Sequence, residues 1–466
     1  MPSELKNKEL LSSWKEVAAY LGCEIRTCIR WEKDAGLPVH RVSNFPRSRV
    51  FAYKEEIDAW IKAKKGSPPT LLTQHSQRPS RARDFQKTII FQSLSLIVAG
   101  LLLLAFFLLK ELKSDILGDF HIEESSLVIM NTRGKELWRY DTGLNNLAGE
   151  VQYRESFQVR RPSLNGPYML LPVLVIRDIN ADGFQEVLFS IQTDNELQEG
   201  ELICFDHSGK VLWRRQTGRE MRFGSTYYNS NYRIKGLDTA DLYNTGKQDI
   251  IIVSVNRFQS PCQLLVLSCW GETRGEFWHF GYFSDLLMKD IDADGTTEIL
   301  LAGQNNEYEK ACVAVFDPRW IMGRGPHEKA FQPENLAPGT EKYYILLPKS
   351  EPDLLEFVGI SSGEIDILAN NNISVKTLPS DVYFELNKNF EIMEIHFSHH
   401  FQREYQSSYI AGKIKTPLDL EKCRVELRKG ILYWDGERWI SRPTTTNHWR
   451  LLADIVSKST EAGDSK

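Results

Sequence analysis

The sequence has 466 residues, of which 42% are hydrophobic; this excludes a disordered chain and leaves room for more than one packed domain. Its formal net charge of -5 conceals a split: residues 1–87 carry 17 basic and 10 acidic side chains, and the rest carries 40 basic and 52 acidic ones. The basic end is typical of a region that faces a polyanion such as nucleic acid. The acidic remainder is typical of a solvated or cation-binding region.

The seven cysteines do not have the spacing of a metal site, since no CxxC occurs. Five of them follow residue 109, and several of these lie in apolar runs such as LICF and CVAVF. Buried thiols are therefore favoured, and a single disulfide is left open as the alternative.

Residues 88–109 form a stretch of 22 residues without a charge. At about 1.5 Å per residue, a helix of this length crosses a hydrocarbon layer of about 30 Å. More basic residues precede the stretch than follow it, so the positive-inside rule predicts a cytoplasmic N-terminus. We expect a single-pass protein of the cell inner or plasma membrane, with 66–87 as a flexible basic linker and the C-terminal region periplasmic or extracellular.

Residues 1–65 are predicted to form a small domain of helices and a β-hairpin. Ser13 and Glu16 fit a capping box, and helical spacing of apolar residues predicts a first helix over 12–21 that Gly22 ends. A second helix is expected at about 24–33, and a third begins near Lys54. The second helix is expected to bury Ile25, Cys28 and Ile29.

The run SWKEVAAYLGCEIRTCIRWEKDAGLPVHR, followed by FAYKEEIDAW, resembles the winged helix-turn-helix of the MerR and excisionase group over about residues 11–64. The resemblance implies DNA binding by a helix in the major groove and by a β-wing. The DNA-binding residues expected on this basis are Arg26, Thr27, Arg30 and Lys33 of the helix and Arg41, Arg47 and Arg49 of the wing. The alternative is a basic module that binds a protein or lipid headgroups.

Residues 115–450 are predicted to be all-β, because short apolar or alternating runs recur between Gly, Asn and Asp clusters. Two elements alternate: a hairpin such as ELICFDHSGKVLWRRQTG and a loop element such as RDINADGFQEVLFS. They resemble the FG-GAP or VCBS repeats of integrin-like β-propellers. Six or seven blades are expected, with five left open, and the hairpin GILYWDGERWISR is expected to close the ring with the first strands. Residues 451–466 are expected to be a disordered tail.

Two of the loop elements carry oxygen ligands at alternate positions before a glycine, which suits Ca²⁺. The predicted ligands are Asp178, Asn180, Asp182 and Glu186 in one loop and Asp290, Asp292, Asp294 and Glu298 in the other. The copy between them has too few carboxylates to be a site. The alternative for both loops is a turn held by Asx hydrogen bonds without a metal.

No catalytic constellation is found in the sequence, and we expect no enzyme. A quinoprotein-like activity is suggested only by the Trp-bearing hairpins. His396, His399 and His400 are assigned to a solvated strand end. The leading hypothesis is a membrane-anchored, DNA-binding transcriptional regulator whose propeller binds an unknown extracytoplasmic ligand or protein. A single small domain would bind DNA weakly, so this hypothesis requires a homodimer or clustering. The second is a propeller-based adhesion or scaffold protein whose helix-turn-helix binds a cytoplasmic partner.

Overall fold

The computed structural model describes residues 9–41, 50–65, 116–162, 169–194, 200–257, 260–355 and 361–463. The chain divides into two compact units, Met1–Ala99 and Gly100–Lys466, which we call the N-terminal and C-terminal units. In the described ranges, no helix is long and apolar enough to cross a membrane. The predicted span 88–109 and the linker 66–87 lie outside these ranges.

The described part of the N-terminal unit contains helices and short strands in the predicted order. They are β1 (Leu10–Leu11), α1 (Trp14–Leu21), α2 (Ile25–Ala35), β2 (His40–Arg41), β3 (Val50–Tyr53) and α3 (Lys54–Lys65), with the sheet order β1-β3-β2. Ser13 caps α1 by accepting from the Glu16 amide at 3.3 Å, and Gly22 ends it with a φ of 65°. Local capping therefore sets the boundary between α1 and α2.

The buried face of α2 differs from the predicted one. Cys28 is fully buried, but Ile25 and Ile29 are 42% and 36% exposed. The helix packs through Cys28 and Trp31, and the Trp31 ring lies 6.0 Å from that of Trp60 in α3. The buried stripe is thus rotated by about one residue, which leaves both isoleucines on the outer face.

The C-terminal unit contains five sheets of three or more strands in its described residues, numbered I to V along the chain. Sheet I has β4 (Leu117–Glu123), β5 (Ser126–Asn131) and β6 (Glu136–Asp141). Sheet II has β9 (Leu174–Arg177), β10 (Glu186–Ser190), β11 (Glu201–Phe205) and β12 (Val211–Gln216). Sheet III has β15 (Tyr232–Ala240), β16 (Asp249–Asn256), β17 (Cys262–Leu267), β18 (Thr273–His279) and, parallel at its edge, β22 (Met322–Arg324).

Sheet IV has β19 (Gly281–Lys289), β20 (Glu298–Asn305), β21 (Lys310–Phe316), β23 (Tyr343–Leu347), β28 (Leu432–Trp434) and β29 (Trp439–Ile440). Sheet V has β24 (Ser361–Ile367), β25 (Ile373–Leu378), β26 (Val382–Leu386) and β27 (Ile392–Phe397). Two ribbons, β7 (Arg161–Pro162) with β8 (Met169–Leu170) and β13 (Met221–Phe223) with β14 (Thr226–Tyr228), connect the sheets. The helices are α4 (Glu150–Arg154), α5 (His399–Ile410), α6 (Leu420–Lys429) and α7 (Asn447–Gly463), with 3-10 turns at Lys329–Phe331 and Asp353–Leu355.

Each sheet packs its apolar face on the next. One apolar cluster joins sheets I and II, a second joins II and III, a third joins III and IV, and a fourth joins IV and V. Strand β16, DIIIVSVN, is buried at all eight positions, because neighbouring sheets cover both of its faces. This succession of face-packed antiparallel sheets is the arrangement of a β-propeller.

Two of the repeated Trp-bearing hairpins connect sheet I to sheet II and sheet II to sheet III. Trp138 of sheet I donates to the His207 carbonyl in sheet II at 3.1 Å, and Trp213 of sheet II donates to the Cys269 carbonyl in sheet III at 3.0 Å. A Cβ at Gly209 would lie 2.7 Å from the Trp138 ring, so the glycine of the GKVLW motif is required by the tryptophan of the preceding repeat.

Five sheets of three or more strands are present in the described ranges, which is the number left open beside the expected six or seven. The expected closure of the ring is corrected. The hairpin β28–β29 pairs with β23 of sheet IV, with Ile345 opposite Tyr433, and does not complete sheet I. No strand pairing joins sheet V to sheet I within these ranges.

The end of the chain is also more helical than predicted. Helix α7 occupies most of the predicted disordered tail 451–466. His396 lies in β27, but His399 and His400 begin α5, where Ser398 caps the helix by accepting from the Phe401 amide at 3.0 Å. All seven cysteines are free thiols, and Cys204, Cys262, Cys269 and Cys312 are buried, as the apolar runs around them predicted.

Candidate functional site

The outer face of α2 presents three cations at helical spacing. Arg26, Arg30 and Lys33 are exposed, and none of the three forms an ion pair with another described residue. Residues at i, i+4 and i+7 lie on one side of a helix, and exposed Ile29 lies beside them. Thr27 is half-buried at the edge of this face. The face therefore offers guanidinium groups and an apolar surface to a partner.

The wing arginines have a different status. Arg41 at the end of β2 donates to the Glu32 carboxylate of α2 at 2.9 Å, and its side chain is about half exposed. Its charge is thus partly balanced within the unit. Arg47 and Arg49, the other two predicted phosphate contacts, lie outside the described residues.

Three acidic loops join the first two strands of sheets II, III and IV. We call them the first (178–186), second (241–249) and third (290–298) acidic loops. In each, the leading aspartate accepts from the amide of a glycine five residues later, at 3.0, 2.7 and 3.1 Å. That glycine has φ between 80° and 90°, and the residue two before it is also left-handed. The three loops therefore share one backbone conformation, and sequence differences decide what each can hold.

The first acidic loop contains a buried carboxylate without a cation. Glu186 is buried, and its two oxygens accept from the Ile179 amide and the Asn180 side chain, each at 3.0 Å. Burial, together with the nearby carboxylates of Asp182 and Asp178, raises the pKa of Glu186 to about 7. Within the described ranges, no lysine or arginine pairs with these acids. Carboxylate and amide oxygens are the ligands that Ca²⁺ takes, so the residues of this loop fit the ion.

In the second acidic loop, an arginine supplies the balancing charge. Asp249 has the position of Glu186, and its carboxylate lies 2.9 Å from Nε of Arg274. The Arg274 guanidinium also lies over the Tyr243 ring, at 4.8 Å from its centroid. The charge of Asp249 is therefore balanced within the chain, and the absence of a metal from this loop stays a prediction.

In the third acidic loop, a lysine ammonium lies among the predicted metal ligands. Nζ of Lys342 is 2.7 Å from Oδ2 of Asp292 and 2.8 Å from Oε1 of Glu298. Asp290, Asp292 and Asp294 have ligand atoms within 4.8 Å of one another, so spacing alone would favour a metal here. The ammonium, however, already forms hydrogen bonds with two of the four predicted ligands. The residues of this loop do not fit Ca²⁺ while Lys342 is in place.

A second charged cluster, which the sequence did not reveal, connects distant sheets. Arg160 lies in the chain segment between α4 and β7, and its guanidinium donates to the carbonyls of Leu286 at 3.3 Å and Ile365 at 2.6 Å. It also pairs with Asp366 at 2.6 Å and with fully buried Asp285 at 3.4 Å. Arg160 therefore ties the start of the unit to sheets IV and V.

Neither Lys342 nor Arg160 could be found by motif. Each acts across a long sequence separation, 44 residues from Lys342 to Glu298 and 206 from Arg160 to Asp366. A signal for such partners is available only when the repeats are aligned and a cation is sought for each acid that is expected to be buried.

The cavities in the described part of the C-terminal unit include two of similar size. One, of about 360 Å³, lies beside α5 and α6 and is lined by apolar residues such as Phe401 and Leu427 and by charged ones such as Lys349 and Glu426. The other, of about 390 Å³, lies between the third acidic loop and sheet V and is lined by polar residues such as Asn371 and Lys388. Both have the size of a small-ligand site.

No protein-family model matches the chain, and no curated protein matches it. Solved structures to which it is similar include BamB from Moraxella catarrhalis, with 14% identity over 61% of this chain and 62% of that one and a TM-score of 0.30. The Dos1 propeller shares 9% identity over 59% and 65%, with a TM-score of 0.30. A protein of unknown function from Bacteroides caccae shares 11% identity over 61% and 72%, with a TM-score of 0.26. The propeller-like fold stated above rests on the sheets and their packing.

Proposed function

We propose that the chain is a membrane-anchored, DNA-binding transcriptional regulator whose propeller-like unit binds an extracytoplasmic ligand or protein. The observation that carries this proposal is the outer face of α2, where Arg26, Arg30 and Lys33 are exposed without ion-pair partners among the described residues. Guanidinium groups on a helix suit the guanine edges of the major groove, and exposed Ile29 suits a thymine methyl group. This helix follows another across a glycine turn, and the two pack beside a small sheet.

One such domain contacts few phosphates and would bind DNA weakly. A homodimer, or clustering of chains in the membrane, would bring two such domains to adjacent half-sites. The anchor in this proposal is residues 88–109 in the inner or plasma membrane, with the N-terminus in the cytoplasm and the propeller-like unit on the other side.

We further propose one structural Ca²⁺ in the first acidic loop, held by Asp178, Asn180, Asp182 and Glu186. The ion would supply the positive charge that the loop lacks and would stiffen the connection between β9 and β10. We do not propose one in the third acidic loop.

The test is genome-wide DNA occupancy of the intact protein in its membrane. We expect discrete occupied sites that are lost in Arg30→Ala and kept in Lys15→Ala, which removes an exposed cation of α1 instead. Absence of occupied sites, or an N-terminus found outside the cell, would contradict the regulator. A cytoplasmic protein that binds the N-terminal unit in their place would favour the adhesion or scaffold function.

A further inference from the structure

We propose that Lys342 is a built-in cation that replaces a metal ion in the third acidic loop and anchors helix α7 to it. The loop would then be a cage for a lysine of the same chain and would not take up Ca²⁺. This inference does not depend on DNA binding or on a metal in the first acidic loop.

The ammonium group of Lys342 lies where a metal ion would lie. Nζ of Lys342 contacts Asp292 and Glu298 at hydrogen-bond distance, and the lysine is only 8% exposed. Ca²⁺ would require these same oxygens at about 2.3–2.6 Å. An ion that close to both carboxylates would overlap the ammonium and repel it, so the two occupants exclude each other.

Charge balance supports the same assignment. Nζ of Lys342 forms ion pairs with both Asp292 and Glu298, and the Glu298 side chain is only 2% exposed. A buried carboxylate needs a paired cation, and the lysine supplies that cation from within the chain.

The three acidic loops can be compared directly by the cation that pairs with the last acid of each. They share a backbone conformation, but the acid at their last position has different partners: none of opposite charge within the described ranges for Glu186, Arg274 for Asp249 and Lys342 for Glu298. Side-chain cations thus balance that acid in two of the three copies. Lys342 differs from Arg274 because the loop that it fills has a full set of carboxylates.

Lys342 also contacts the start of helix α7. The indole ring of Trp449 lies over Nζ of Lys342, at 5.2 Å from the ring centroid. The Thr446 amide, just before the helix, donates to the Lys342 carbonyl at 3.1 Å. The indole Nε1 of Trp449 also lies 3.4 Å from the Asp317 carboxylate. The lysine that fills the loop therefore also holds the start of α7.

The test is the number of Ca²⁺ ions bound by the full-length protein, measured by equilibrium dialysis. In the otherwise unchanged chain, Asp290→Asn is expected to leave this number the same. Lys342→Met is expected to bind one ion more than the unchanged protein. The double variant Lys342→Met with Asp290→Asn should not bind this additional ion. Arg274→Met is the matched control and should gain none, because the second loop has only the carboxylates of Asp241 and Asp249.

Two further readouts separate the possible failures. Lys342→Met should unfold at a higher temperature with Ca²⁺ than with a chelator, and amide exchange over 447–463 should become faster without the ion. Loss of a bound ion in Asp290→Asn alone, or no gained ion in folded Lys342→Met, would overturn the inference. Should Lys342→Met fail to fold, the Asp290→Asn measurement still decides. Asp178→Asn reports separately on the first loop.

Discussion

The cations of helix α2 and those of the C-terminal unit are the same residue types in opposite situations. Arg26, Arg30 and Lys33 lie in water without an ion-pair partner among the described residues. Arg160 and Lys342 are largely buried and each pairs with two carboxylates. Exposed, unpaired charges are available to an external polyanion, whereas buried, paired ones hold a fold together. For these five residues, exposure therefore separates the cations that can meet a ligand from those that are structural.

Arg160→Ala gives the largest expected effect on this comparison. It leaves the buried Asp285 carboxylate without its arginine and removes the tie to sheets IV and V. At pH 8, where Asp285 is ionised, we expect a loss of about 3–5 kcal/mol in the free energy of unfolding, measured with denaturant. Arg133→Ala, at an exposed position of sheet I, should change it by less than about 0.5 kcal/mol. Equal effects would mean that Arg160 is no more structural than a surface charge.

The carboxyl group of Asp285, the buried partner of Arg160, should make the free energy of unfolding depend on pH. Burial raises the pKa of Asp285 to about 7, against the lowering effect of Arg160. Between about pH 4 and pH 7 the folded protein holds a proton that the unfolded chain has released. The contribution of this proton to the free energy of unfolding is complete below about pH 4 and is lost as the pH rises to about 7.

Relative to Asp285→Asn, the unchanged protein should therefore lose up to a few kcal/mol of unfolding free energy across this window and none above it. The measurement is denaturant unfolding of both proteins from pH 4 to pH 8. Parallel profiles across the window would contradict the assignment of a buried, proton-holding carboxyl group to Asp285.

Arg41→Ala has the smallest expected effect. Arg41 is exposed, but it is already paired with Glu32. Such a surface pair changes binding by at most about 1 kcal/mol, so DNA affinity should fall by less than about fivefold. A titration by fluorescence anisotropy measures it. A larger loss of affinity would show that Arg41 contacts DNA more strongly than its ion pair with Glu32 allows.

Local patterns in the sequence predicted much of this molecule. The capping box at Ser13, the glycine turns and the alternation of hairpins and acidic loops rest on interactions between residues close in the chain, and the corresponding elements are present. The Trp138 motif likewise indicated a hairpin with an aromatic residue to bury. Its hydrogen bond to the next sheet was not visible, because it depends on how the sheets pack.

Long-range pairing accounts for the errors. The hairpin β28–β29 has the composition of a closing strand pair, but sequence does not state which edge it meets, and it meets β23. The predicted buried face of α2 differs from the observed one by about one residue, because Ile25 is apolar but exposed. The third acidic loop has the ligands of a metal site, and the residue that fills it lies 44 positions after Glu298.

The central claim is that the outer face of α2 contacts DNA. It is tested most directly by binding of the full-length, detergent-solubilised protein to DNA fragments selected with it, comparing Arg30→Ala with Lys15→Ala. Loss of a guanidinium that contacts a base should weaken specific binding by about 10- to 100-fold and relax sequence preference at one position, and Lys15→Ala should do neither. Equal affinities for Arg30→Ala and the unchanged protein would contradict the account.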